Sequence, residues 1–559
     1  MRLVTRPATL APVSVRAVLT LPAIAALAAV VALGLAVRVV AASLVVFPKP
    51  EDTAYYVAVA ANILEGRGMV SDALWSYGTP PLEIPRAAFE VWLPLPTLLA
   101  AMPMAVLGST FAAAQLSSVL VGAAVPPLAW RLAADLAAER GLPPGRARTL
   151  ALGAGLTAAV SLPLLLHSAL PDSTMPFTVL ALGACLLMTR AARAAEELRL
   201  LDARLVGLGA LLGLAAWTRN EAAWLALAWV LIMWSRRGPD RRRKVAMVAV
   251  PGVIALALFA PWAIRDWIVF GNPLPGQALS NALSVRGSDV FAWADPPTLA
   301  RYLAVGPARL IEMRVDGLAH NLVNVLLAPG APVSIVGLVA LPWLVRSVAL
   351  RPVVLVSALT FTVTSLLFPV ATTWGTFLHA AGPVHVLLIV SALFGLDALI
   401  ARVGRLRGWT RPVAWLGATL TVAGAALFSI ALLPSFGAGS RETANRYVAL
   451  EAEMAAAGLP LRDIGPVITD YPIWLAETTG ARGLALPDER PASVLALAAA
   501  FPGTRTLVIH GGQHEVWPAI LDAGGPGTEC FDEVPLGTPD DPRLAAALEG
   551  TRVFRVVCR

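Results

Sequence analysis

KPEDTAYYVAVAANILEGRGMVSDALWSYGTPPLEIPRAAFEVWLPLP, residues 49–96, is the first polar segment after the first apolar run of the chain, and it sets an acidic pair, Glu51 and Asp52, where a membrane span ends. Within it, Asp52 or Thr53 can cap a short helix whose apolar side is Tyr56, Val59, Ala60, Ile63 and Leu64 and which stops at Gly66. Asp52 then sits at a helix N-terminus, where backbone amides favour its ionised form. The plain alternative is that Asp52 is a helix cap and nothing more.

The surrounding chain sets the class. Of 559 residues, 57% are hydrophobic and only 14% charged, with a mean hydropathy of +0.71. Several runs reach the roughly 20 residues that cross a bilayer, and basic residues cluster between them, which describes a multi-pass cell-membrane protein. The net charge of +7 follows from those clusters. There is no basic stripe with interleaved aromatics, so no nucleic-acid partner is expected. Arg2, Arg6 and Arg16 precede an apolar run to Phe47 that exceeds a signal-peptide core and lacks a clear cleavage site. It reads as a retained first span with a cytoplasmic start.

With the N-terminus inside, residues 48–92 form a first outer loop. Leu93 to Leu107 holds Pro94, Pro96 and Pro103 and is short for a span, so it reads as re-entrant or juxtamembrane. Crossings follow at Thr110–Trp130, Ala151–Leu170, Ser173–Met188, Leu205–Thr218, Ala222–Trp234 and Val245–Trp262. After a long mixed segment to about Gly330 come Pro332–Val345, Pro352–Phe368, Pro383–Ile400 and Val413–Leu433. With the first span this gives about eleven crossings, every inner loop being basic, as at Arg236, Arg237, Arg241, Arg242, Arg243 and Lys244 or at Arg402, Arg405, Arg407 and Arg411. Asp52, Asp172, the Arg219 to Glu221 turn and the Ala371 to Gly382 loop then share the outer face.

The expected division is 1–436, an all-α polytopic domain, and 437–559, a small extracytoplasmic α/β domain. The latter should have strands near Pro466–Thr469, Gly483–Leu486, Thr506–His510 and Val553–Val557, with helices at Ser493–Ala500 and Trp517–Ala523. Cys185 lies in a span, whereas Cys530 and Cys558 fall in the outer domain, where they could pair or stay free.

Ionisable groups near membrane depth call for a reason. Arg219 and Glu221 interrupt an apolar stretch long enough for two short spans. They are either the polar tip of a helical hairpin or a cation offered to an anionic group, a planar guanidinium suiting phosphate. Arg38 could point to the same place or snorkel to the headgroups. Asp172, in HSALPDSTMPF, is a second outward acid that could act as base or ligand, or could cap the helix after it. His379 and His385 flank Gly382 and Pro383 without a zinc motif. Phosphate loop, dinucleotide fingerprint and nucleophile elbow are all missing from the sequence, which argues against cytosolic nucleotide chemistry.

The first loop, E-D-x-x-Y-Y with A-x-N-I-L-E-G-R-G downstream, resembles that of polytopic glycosyltransferases of the GT-C fold, in the branch of protein O-mannosyltransferases and the bacterial aminoarabinose transferase of lipid A. GLAAWTRNE at Gly213–Glu221, PWAIRDWIVFGNP at Pro261–Pro273 and GTFLHAAGP at Gly375–Pro383 fit as well. The resemblance spans roughly Val18 to Ile400. It implies inverting transfer of a sugar from a polyprenyl-phosphate donor, among membrane lipids, to an extracytoplasmic acceptor that is a protein, a lipid or a glycan. Carried over, Asp52 is the expected general base, with Glu51 able to share the role. Arg219, Arg265 and Arg38 are expected at the donor phosphate, with Arg286, Arg301 and Arg314 as further candidates. Asp172, Glu221, Tyr55, Tyr56 and His379 are expected at the substrate or as the second acid. The branch implies no cofactor and no metal, although relatives that transfer oligosaccharides need one. Two competing readings are a transporter or flippase of lipid-linked saccharides and a non-catalytic envelope sensor. Against the first, no inverted repeat is visible and polar residues favour one face rather than the midplane. The second leaves the acidic loop without a task.

Overall fold

The structure, a computed structural model, describes residues 21–276, 278–409, 413–511 and 514–558. Arg2, Arg6, Arg16 and Arg411, which support the expected sidedness, lie outside the described residues.

The first apolar run is one helix, α1 (Leu21–Leu44), and the polar loop after it opens with α2 (Glu51–Leu64). Gly66, at φ +77°, turns the chain out of α2. Three two-residue strands follow, β1 (Val70–Ser71), β2 (Ala73–Leu74) and β3 (Arg86–Ala87). The proline-rich stretch is a short helix, α3 (Leu95–Leu107), whose Met102, Val106 and Leu107 are exposed. Next come α4 (Phe111–Gly122) and α5 (Val125–Glu139), together one long apolar span, and α6 (Pro144–Val160) with α7 (Leu162–Ser168), a span bent by 52°. They lead into α8 (Thr174–Arg193), α9 (Ala203–Ala216), α10 (Ala222–Ser235) and α11 (Arg241–Phe270). The long mixed segment holds α12 (Ala278–Leu283), α13 (Leu299–Ala304) and an unexpected 22-residue helix, α14 (Gly306–Leu327). Then come α15 (Ala331–Leu344), α16 (Arg351–Leu366), α17 (Thr376–Ala380), α18 (Gly382–Leu406) and α19 (Ala414–Ala456).

Every stretch expected to cross the membrane is thus helical. Among the described residues, six helical stretches are long and apolar enough to span it, α4 with α5 counting as one, and two bent pairs bring this to eight. The other expected crossings, α9, α10 and α16, are shorter apolar helices. The protein is a multi-pass membrane protein. α8 and α18 lie innermost, with most of their apolar length buried, whereas α1 and α11 remain largely open to the surroundings. A Cβ at Gly382 would collide with the Thr178 side chain, so this glycine lets the first turns of α18 and α8 touch. His379, in α17, and Asp172, in the loop after α7, lie just before those two turns.

α19 runs unbroken through Pro434, so the division expected at 436/437 falls inside a helix. Beyond it lie β4 (Val467–Thr469), α20 (Pro472–Thr479), β5 (Gly483–Ala485), α21 (Pro491–Ala500), β6 (Thr506–Ile509), β7 (Phe531–Val534) and β8 (Arg552–Val556). They form one sheet in the order β2-β5-β4-β6-β8-β7, with β2 to β6 parallel and β8 and β7 antiparallel. The edge strand β2 comes from the first loop, Ala73 pairing with Gly483 and Leu74 with Leu484. First loop and C-terminal region are therefore parts of one folded unit. Cys530 and Cys558 are disulfide-bonded, and Cys185 is buried in α8.

Candidate active site

A cavity of about 560 Å³ opens where α2, the turn before α10, α17 and α20 converge, and Asp52, Arg219 and His379 line it. α2 starts at Glu51 with Pro50 as its N-cap and no side-chain cap, so Asp52 is free for other work. Its Oδ1 accepts from the Thr53 amide at 2.9 Å, and its Oδ2 faces His379 Nε2 at 3.4 Å. On the other side of the ring, His379 Nδ1 is 2.9 Å from Thr174 Oγ1 and 3.7 Å from Asp172 Oδ2. The tautomer that fits has Thr174 donating to Nδ1 and Nε2–H turned toward Asp52.

Asp172 is fully buried, accepting from the Thr174 amide at 2.7 Å and lying 2.9 Å from His167 Nδ1. Its role as a helix cap and its place in the constellation therefore coexist. The two acids are driven apart electrostatically. Burial pushes the Asp52 carboxyl above its ordinary value, with His379 pulling it down and Asp172 adding to the rise. Burial acts in the same sense on Asp172, but His167 and His379 overcome it and hold that carboxyl low. Burial also lowers the proton affinity of His379, against the pull of Asp52 and Asp172. Two carboxyls pushed in opposite directions are the mark of divided acid and base roles.

Arg219 reaches the site from the loop between α9 and α10. It donates to Glu221 from Nη2 (2.7 Å) and Nε (3.1 Å), and to Ser173 Oγ from Nη1 (2.8 Å). Glu221 thus serves as its counter-ion, keeping a desolvated guanidinium charged. Tyr56 lines the same cavity.

Glu51 also lines the cavity, and the remaining expected site residues go elsewhere. Glu51 turns away from Asp52: Oε1 accepts from the Ile473 amide and Oε2 from Trp75 Nε1, both at 3.0 Å. It ties the first loop to α20, and its burial pushes the carboxyl up to about 8. Tyr55 is core, its hydroxyl accepting from the Phe89 amide at 2.6 Å. Arg38 neither snorkels nor approaches the cavity. Pro163 has no N–H for the Ala159 carbonyl, so α6 breaks there. Arg38 donates to the freed Ala158 (3.4 Å) and Ala159 (3.3 Å) oxygens and to Ser168 Oγ at 3.0 Å. Arg265 pairs with Asp266 at 2.8 Å over the Trp262 ring. Arg301 pairs with Asp289 and Arg314 bonds Tyr302. Of the arginines considered, including Arg286, only Arg219 lines the Asp52 cavity. His385 is buried within α18.

Sequence reasoning missed His167. It is embedded in LPLLLHSAL, and only its five-residue spacing from Asp172 across the Pro171 break could have marked it. Its Nδ1, one Asp172 oxygen and a His379 nitrogen lie within 4.8 Å of one another. A mixed set of two imidazoles and a carboxylate fits a divalent ion of the zinc type.

No protein-family model matches the chain, and no curated protein does so. Solved structures do. ArnT from Cupriavidus metallidurans bound to undecaprenyl phosphate aligns over 95% of this chain and 98% of its own, at 14% identity and a TM-score of 0.52. The apo state of that protein gives a TM-score of 0.54 at 13% identity, over 96% and 98% of the two chains. The Archaeoglobus fulgidus oligosaccharyltransferase AglB, in complex with an inhibitory peptide and a dolichol-phosphate, aligns over 87% of this chain and 69% of its own, at 13% identity and a TM-score of 0.52. With 95–96% of the chain covered by the ArnT alignments, the chain has the GT-C fold.

Proposed function

We propose that the protein is a membrane glycosyltransferase that moves a sugar from a polyprenyl-phosphate donor to an acceptor hydroxyl outside the cytoplasm, with inversion and with Asp52 as general base. The observation carrying this reading is the cavity in which a carboxylate of raised proton affinity and a guanidinium stand together. The solved neighbours with a bound polyprenyl phosphate make that donor class the natural one. In this reading Arg219 holds the donor phosphate, and Glu221 and Ser173 fix the guanidinium. Asp52 takes the proton from the acceptor hydroxyl as its oxygen bonds to the anomeric carbon and the bond to the phosphate oxygen breaks. The phosphate leaves as an anion opposite the Arg219 cation. His379, held by Thr174, orients the Asp52 carboxylate. A divalent ion held by His167, Asp172 and His379 would add a Lewis acid beside the leaving group. The arginine clusters at the opposite helix ends support an extracytoplasmic cavity.

The test is turnover of a panel of polyprenyl-phosphate sugars by the purified chain in nanodiscs, with and without chelator, reading the anomeric configuration of the product. Consumption with inversion supports the reading, and loss of activity on chelation together with a weakened metal requirement in His167→Ala would assign an ion to the His167 set. Transport of such lipids without consumption would replace the enzyme by a transporter.

A further inference from the structure

The cavity has two chemically distinct ends. At one stand Asp52, His379 and Arg219; at the other Trp75, Trp92, Tyr471 and Trp474 form an aromatic wall. Tyr471 and Trp474 are stacked, with ring centroids 4.4 Å apart and planes 17° from parallel, and Trp75 lies 5.0 Å from Trp92. The C-terminal region supplies the Tyr471 and Trp474 pair. Two hydrogen bonds to the first loop hold the pair there, from the Ile473 amide to Glu51 and from Trp474 Nε1 to the Pro48 carbonyl. Arg219 is anchored from elsewhere, donating to Ser173 Oγ at 2.8 Å and to the Thr376 carbonyl at 3.4 Å, so the guanidinium and the aromatic pair are held by different elements.

In an inverting displacement the nucleophile arrives opposite the leaving group. With the phosphate at Arg219, the acceptor enters past the aromatic wall. Aromatic faces carry negative charge density that attracts the weakly positive C–H face of a sugar ring. A rigid pair of flat rings beside a carboxylate suits such a ring better than an extended peptide, which needs backbone hydrogen-bonding partners. We propose that the acceptor is a saccharide whose ring stacks on the Tyr471 and Trp474 wall, so that the C-terminal region selects the acceptor. This rests on the transferase reading of the same cavity.

The test titrates tryptophan fluorescence of the full chain in nanodiscs, without donor, using short pentofuranose and hexopyranose oligosaccharides and an unglycosylated serine-containing peptide. A saccharide of the panel should give a saturable change. Tyr471→Ala should weaken it about tenfold, and Tyr471→Phe, which keeps the ring, should restore it. In turnover the same loss should fall on the acceptor KM rather than on kcat. The inference is overturned if no saccharide binds, if the peptide alone gives the change, or if saccharide binding ignores Tyr471→Ala. Failure of the transferase reading shows separately, as wild-type protein that consumes no donor.

Discussion

Arg38 and Arg219 are both buried arginines of the same bundle, yet they do opposite jobs. Arg38 has no exposed surface and spends its donors on the Ala158 and Ala159 carbonyls, on Gly34 and on Ser168, with no counter-ion among the described residues. Its charge closes a gap in the backbone ladder that Pro163 opened. Arg219 has an ion-pair partner, retains 13% side-chain exposure and lines the cavity. The difference teaches that a cation at membrane depth is diagnostic of a ligand only where a cavity reaches it. Without one, it is hardware for carbonyls that lipid cannot satisfy.

The predictions probe that contrast between structural and functional groups. The largest effect belongs to the functional side: Asp52→Asn should cut kcat by about 10²–10⁴ and leave thermal stability unchanged or slightly raised, since it removes a charge that burial disfavours. Activity assays paired with thermal melts check this, and a loss of stability matching the loss of rate would place Asp52 with Arg38. For Arg38→Leu the order reverses. Stranding two carbonyls should destabilise by about 2–4 kcal/mol, with residual folded protein turning over at near wild-type rate. Arg219→Lys keeps the charge but not the planar fork, and should weaken the donor KM about tenfold to hundredfold with little change in melting.

The smallest effect is on pH-dependent stability. The Glu51 carboxyl rises to about 8 and that of Asp470 to about 7, both through burial. The folded protein therefore binds more protons than the unfolded chain between the ordinary carboxyl range and those values. Stability is greatest at the acid side of that window and falls as pH rises through it. The melting temperature should drop between about pH 6 and pH 8.5, and Glu51→Gln should flatten the slope. A rising melting temperature over that range would mean that Glu51 is ionised in the fold.

Much of the bundle was legible because lipid imposes length and apolarity on each crossing, and each expected stretch is indeed helical. The strands at Val467, Gly483, Thr506 and Arg552 were legible for a similar reason, being short apolar runs between turn residues. What escaped depends on partners far away in the chain. β2 is two residues whose pairing partner lies about 410 positions later, so no local pattern announces it. α14 escaped because its polar face, with Arg309, Glu312 and Asp316, masks its apolar one. At the site, Asp52, Asp172, Arg219 and His379 are the residues that the fold brings together. Arg38 and Arg265 looked equivalent in sequence, and packing alone sends them elsewhere, while Glu51 lines the cavity but spends both oxygens on Ile473 and Trp75.

The most direct test of Asp52 as the base is the pH dependence of kcat/KM for donor consumption. Because burial raises its proton affinity, activity should fall as pH drops through a value clearly above the ordinary aspartate range, and that limb should vanish from the residual activity of Asp52→Asn. A profile flat from about pH 4 to 7, or the same limb persisting in Asp52→Asn, would contradict the assignment.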